Sequence, residues 1–439
     1  MKIAAFGASL LGAAALPGEP LGVGVLLVAT VIAACVAIAA RRTFDTILFG
    51  ALALALAALP ALRDATWVVA LDLAAACLLA SVAVSGPSPV APFAPYFRLR
   101  DLGAFVPRRP RAGAPAVRGA LLGSVLLTPF GALFLTADAA FAELVSDIPA
   151  PSIDTIPGRL IAFVLIFAIA AGLALAARRP IRYTTPPIPR RLSRWEWALP
   201  LALLDALFLA FVAVQITVLF GGHAHVLQTA GLTYAEYARE GFWQLLAASA
   251  LTLGVVGGFA AFAGAPCRSD RLLRRVLLGV LCGLTFVILV SALRRLQLYE
   301  EAFGLTRARL FAEATALWIA GIFGLIVAAG VAVRVRRELA RIALAGTALA
   351  LGTFSLANPD GLIAERNVAR WSESGRFDVG YARGLSADAA PALAALPFEL
   401  RTKTLSDLEA RLARDEPWSS FNVSRERARD VLATPGEAD

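Results

Sequence analysis

Long apolar runs with little or no charge recur from one end of this chain to the other. They fall at 3–16, 21–40, 46–62, 66–84, 118–137, 160–177, 197–220, 242–264, 276–293, 310–333 and 341–357. Most approach the roughly 20 residues that cross ~30 Å of hydrocarbon as a helix. The runs are continuously apolar instead of amphipathic, the pattern of a membrane span and not of a surface helix. Hydrophobic residues make up 59% of the chain and charged residues 17%, against about half and a quarter in a soluble domain. The expected fold is all-α: a polytopic transmembrane bundle of eleven spans followed by a small helical extramembrane module.

The charges lie between the runs. Arg41/Arg42, Arg98–Arg111, Arg178–Arg194, Arg268–Arg275 and Arg334–Arg337 follow alternate spans, and the loops between them are poor in arginine. The loop 138–158 carries Asp138, Glu143, Asp147 and Asp154. The positive-inside rule then places the N-terminus in the cytoplasm and, after eleven spans, the C-terminus outside. The loop 294–309 is the exception, with Arg294, Arg295, Arg307 and Arg309 partly offset by Glu300 and Glu301. Trp195 and Trp197 stand where an interfacial anchor belongs. The net charge of +9 does not form one patch, so nucleic acid is not an expected partner. Cys35, Cys77, Cys267 and Cys282 contain no CxxC, and neither disulfides nor a thiolate metal site are indicated.

Four regions follow. Residues 1–84 hold the N-terminal spans, the first of which also has the make-up of a signal peptide. Residues 85–117 read as a Pro/Arg-rich cytoplasmic linker. Residues 118–357 form the main membrane domain. Residues 358–439 read as an extracytoplasmic tail of short helices. In the tail, Asn358-Pro359 is a cap followed by proline at the first helical position. Leu405, Leu408 and Leu412 recur at helical spacing, with Thr404 as the expected cap.

One triplet occurs twice, as Gly231-Leu232-Thr233 and Gly304-Leu305-Thr306, each before a helix re-entering the bilayer. In the first copy, Thr233 and Glu236 have capping-box spacing, and Leu232 and Tyr237 that of a hydrophobic staple. Tyr234, Tyr237, Phe242 and Trp243 would lie at headgroup depth, and Arg239 belongs to the same stretch. This segment reads as an interfacial half-helix bending at Gly241, either fixing the loop or lining a binding groove. The second copy keeps the staple as Leu305 and Leu310 but has Arg309 at the carboxylate position. The two copies also suggest a parallel repeat.

Ionisable residues inside spans are expensive and face a polar interior. Asp72 suits a local hydrogen-bonded role. Glu313 sits four residues from Arg309, the spacing of an ion pair. Asp205 is the deepest, about 12 Å from the inner end of its span, with Gln215 further along. His223 and His225 are the only histidines. They could bind a metal beside Glu236 and Glu240 but lack a third ligand at diagnostic spacing. No P-loop, dinucleotide fingerprint, nucleophile elbow or HExxH occurs. No cofactor is expected.

The runs VQITVLFGGHAHVLQTAGLTYAEYAREGFWQLL, LYEEAFGLTRARLFA and NPDGLIAERNVARWSESGRFDVGYARGLSADAAPAL resemble a bacterial polytopic membrane family known only as a domain of unknown function. The resemblance is best over roughly 195–425. It implies a multi-pass protein of the bacterial cytoplasmic membrane with a helical tail, and brings no substrate, cofactor or catalytic residue. The sequence favours a non-enzymatic sensing, interaction or scaffold protein. Its partners would be the lipid bilayer and another membrane or extracytoplasmic protein. A small-solute permease using Asp205 and Gln215 is the alternative, and an intramembrane transferase on a lipid-linked substrate the third.

Overall fold

The computed structural model describes residues 2–87, 156–178, 192–220 and 234–433. The run 118–137, the acidic loop, His223, His225 and the triplet Gly231–Thr233 lie outside the described residues, as does all but the start of the linker. For Tyr234, Glu236, Tyr237 and Arg239 only the backbone is described, and it is helical.

Sixteen α-helices run in order among the described residues. They are α1 Lys2–Ala15, α2 Val23–Ala39, α3 Phe44–Ala58, α4 Thr66–Ser85, α5 Ile156–Arg178, α6 Arg194–Phe220, α7 Tyr234–Phe262 and α8 Arg268–Phe303. There follow α9 Arg307–Val331, α10 Val333–Arg337, α11 Leu339–Leu356, α12 Pro359–Ser374, α13 Val379–Arg383, α14 Ala390–Leu393, α15 Phe398–Leu412 and α16 Val423–Ala433. No strand forms among the described residues beyond one isolated bridge, Leu192–Ala263. Each apolar run within these residues is a helix, and eight are long and apolar enough to cross a membrane. Two more, in α1 and α2, are shorter. At 36 residues, α8 measures about 54 Å, so it outreaches the hydrocarbon. The helix α7 is continuous through Gly241, where a bend was expected.

Two compact units are distinguished: 1–183 with 351–361 and 378–439, and 184–350 with 362–377. In the second, Trp197, Leu201, Leu281, Leu289 and Phe323 form a core between α6, α8 and α9. The outer face of α6 exposes Leu199, Leu203 and Leu207 at every fourth residue. An apolar stripe turned outward is the surface a bilayer wets. Trp195 is exposed, as an interfacial anchor should be, but Trp197 is not. Its indole is fully buried and donates to the Gly264 carbonyl at 2.9 Å. Three residues into the helix, it faces the bundle instead of the headgroups.

In the first unit α3 packs on α4 and α1 on α5, with α2 beside both pairs. The tail segment 378–433 sits on the α3–α4 turn and the start of α2. Within the tail, Leu405, Leu408 and Leu412 are buried as their spacing requires. Asn358 caps α12 through its side-chain oxygen, which accepts from Gly361 N–H at 3.1 Å. Thr404 is not a cap. The helix α15 begins after the extended Pro397, and the buried Thr404 hydroxyl donates back to Leu400 at 2.6 Å, the usual outlet for a mid-helix threonine. On the outer surface Arg383 forks onto Asp407 at 2.7–3.0 Å. That hydrogen bond holds the Asp407 carboxyl below its ordinary range. The tether therefore contributes fully above the ordinary range and is lost as pH falls below it, through the lowered value.

Candidate functional site: two polar junctions of the tail

In the first unit, the turn between α3 and α4 ends in Arg63-Asp64-Ala65, and α4 has no capping side chain of its own. Asp388, from a 3₁₀ turn in the tail, supplies one. Its Oδ2 accepts from the backbone N–H groups of Asp64 and Ala65, both at 2.8 Å. Asp64 returns the arrangement by accepting from Ala387 N–H at 3.1 Å. A capping box satisfies orphan donors reciprocally within one helix start. Here the two halves come from residues more than 320 positions apart.

Charge closes the junction. Arg425, 4% exposed, donates to Asp64 at 2.7 Å and Glu416 at 3.0 Å. It also reaches the backbone carbonyls of Leu21 and Ser420. Arg63 lies 3.6 Å from Asp388 and donates to the Ser355 and Leu356 carbonyls, covering the end of α11. The Ser424 hydroxyl lies between Asp388 and the Leu62 carbonyl and shares its one proton between these two acceptors. The Asn422 amide donates to Pro60 O at 2.8 Å and Arg63 O at 2.9 Å. Trp67 donates to the buried Asp360, which also accepts from Ser386 N–H. Each carboxylate named here has a donor, so burial costs are offset by charge-assisted bonds. The backbone approach is equally close: a Cβ on Gly22 would stand 2.4 Å from Ser420.

The second unit contains a separate clasp, built around the second Gly-Leu-Thr triplet. Gly304 ends α8 with φ 79° and ψ 173°, its N–H bonded to Glu300 O. The Asn367 amide of α12 pairs with the Leu305 peptide on both sides: Leu305 N–H to Oδ1 and Nδ2 to Leu305 O, each at 2.9 Å. Arg370 donates to the carbonyls of Glu301 and Ala302 at 3.3 and 2.6 Å, as cations at helix C-termini do. Thr306 occupies the N-cap position of α9 without a side-chain cap bond. Leu305 and Leu310 are buried around it. The triplet is thus a helix–turn–helix joint, and the Asn367–Arg370 stretch of the tail is its lock.

The predicted site residues are scattered. Asp72 is buried and accepts from Ser355 Oγ at 2.9 and 2.7 Å, the local role expected of it. Gln215 accepts from Ser291 at 3.1 Å and Arg295 at 2.9 Å. Asp205 is 8% exposed, so it faces the bundle, but neither oxygen has a hydrogen-bond partner among the described residues. Arg309 donates to Gly304 O and lies 4.1 Å over the Tyr299 ring. It does not form the expected ion pair with Glu313 among the described residues. Trp243 is exposed and meets Phe242 edge-on at 5.2 Å. No cluster of three or more metal-ligating side chains occurs among the described residues.

Sequence reasoning missed Asp64, Asp388, Asn422, Arg425 and the role of Asn367. The signal available was the Arg63-Asp64 pair in a very short turn between two spans, where isolated charges have little room to be idle.

Comparison with curated proteins and with solved structures gave no match. A family model described as a domain of unknown function, DUF4153, matches residues 5–396. The match includes the α3–α4 turn, the triplet joint, α12 and Asp388, and ends before α15 and Arg425. This all-helical, multi-span chain belongs to the DUF4153 family.

Proposed function

We propose that this membrane protein is a non-enzymatic interaction or sensing protein whose tail presents the working surface outside the cytoplasm. The carrying observation is the division of the tail's polar groups. Its inner carboxylates and Arg425 are committed to the junction, while Phe398 and Trp418, each 69% exposed, remain outward. Large exposed aromatics are typical anchors for protein partners. The tail meets Leu21 and the 60–65 turn, both on the outer side in the arginine-based topology, which supports an extracytoplasmic tail.

The permease reading draws on Asp205, a buried carboxylate of the kind that carries protons or cations. One set of variants separates the two. Phe398→Ser with Trp418→Ser should leave abundance and unfolding temperature unchanged and reproduce the phenotype of a deletion strain. Asp205→Asn, which removes a charge cost and keeps hydrogen-bonding capacity, should fold at least as stably and behave as wild type. The opposite pattern would replace the interaction reading with the permease. A reporter active only in the cytoplasm, fused after Asp439, should stay silent, and activity there would overturn the outward placement.

A further inference from the structure

A cavity of about 530 Å³ lies within the first unit, between α2, α3, α4 and α5. That volume is in the range of small-molecule sites. Its described wall is almost entirely carbon: among the described lining side chains only Arg41, Arg42, Thr46 and Cys77 carry a polar group. It follows α2 from Val25 to Ala40, about 22 Å of helix, more than the roughly 15 Å of one bilayer leaflet. Small side chains make the room. Ala29, Ala33 and Ala37 line it from α2, and Gly50 and Ala51 from α3. Helices bearing such faces ordinarily close on each other. Here they leave a slot.

The charge on the rim is one-sided in position. Arg41 and Arg42 stand together at the α2–α3 connection, both exposed. Asp45 is the only carboxylate in the first turn of α3, so the connection keeps a net positive charge. The same connection ends the slot, opposite Leu16 and Val25. A carbon-lined slot of chain length with a cationic mouth complements one kind of molecule: a lipid whose tail is hydrocarbon and whose head is an anionic phosphate.

We propose that this cavity is a binding site for an anionic phospholipid, with one acyl chain between α2 and α3 and its phosphate at Arg41 and Arg42. A solute anion alone would gain nothing from the slot. A neutral lipid would gain nothing from the arginines. The proposal is independent of the tail's role, since none of its residues belongs to either junction.

The test uses the full chain in phosphatidylcholine nanodiscs, with and without phosphatidylglycerol, read by native mass spectrometry and thermal unfolding. Phosphatidylglycerol should remain bound and raise the unfolding temperature. Arg41→Gln and Arg42→Gln, at exposed positions that leave packing intact, should each weaken its binding roughly fivefold. Ala33→Phe should abolish binding by filling the slot. Glycerol phosphate, which has the head and no chain, should not compete. Equal retention of both lipids, competition by glycerol phosphate, no bound lipid, or full binding by the double arginine variant would each overturn the site.

Discussion

Asp388→Ala should open the junction between the tail and the α3–α4 turn. The change strips acceptors from Asp64 N–H, Ala65 N–H, Ser386 Oγ and Ser424 Oγ, and the nearby anion from Arg63. Removing one member of a buried charged network costs about 3–5 kcal/mol, because its partners stay buried without compensation. Hydrogen exchange should rise at the start of α4 and across α16, and limited proteolysis should cut between α15 and α16. Asp388→Asn retains one acceptor oxygen and should lose less. Added salt should rescue little, since buried pairs are poorly screened. Unchanged protection in Asp388→Ala would mean that apolar packing alone seats the tail.

Gly304→Ala should damage the triplet joint by a different route. At φ 79° and ψ 173° the backbone lies in a region essentially reserved for glycine, where another residue costs about 1–3 kcal/mol. The new Cβ would also stand 2.7 Å from Asn367 Oδ1, pushing the amide off the Leu305 peptide. Gly279→Ala, in the same helix with nothing within 4 Å, is the control and should stabilise slightly. Combining Gly304→Ala with Asn367→Ala should cost less than the sum of the two, since both break one contact. Additive losses in detergent unfolding would show that the clasp and the turn are energetically separate.

What could be read in advance follows from the range of the forces involved. Helix positions are local: an uncharged run of membrane length declares itself, and each one within the described residues is a helix. The Leu405, Leu408 and Leu412 period and the Asn358 cap were legible for the same reason. Thr404 was misread because a hydroxyl before a leucine period looks like a cap, whereas Pro397 had already started the helix seven residues earlier. Trp197 was misread because depth in a span says nothing about which side the ring turns to. The junction was invisible because Asp64 and Asp388 are 324 residues apart, and a mixed-charge tail reads as a solvated surface until its partners are placed. Asp205 is buried, as a carboxylate within a span should be, but the polar partner expected of it is not found among the described residues, which no spacing rule could foretell.

The α3–α4 turn has a consequence for synthesis. Asp64 emerges early, yet Arg425 follows 361 residues later. At about 5–20 residues per second, roughly 20–70 s pass before the ribosome makes the partner. During that interval the first hairpin carries an uncapped helix start and an unneutralised acid. Any truncated product keeps them permanently. The tail residues Asp388 and Arg425 thus act as a late seal on the hairpin, and a membrane protease that samples the 59–65 turn would meet it unsealed in chains cut short of them.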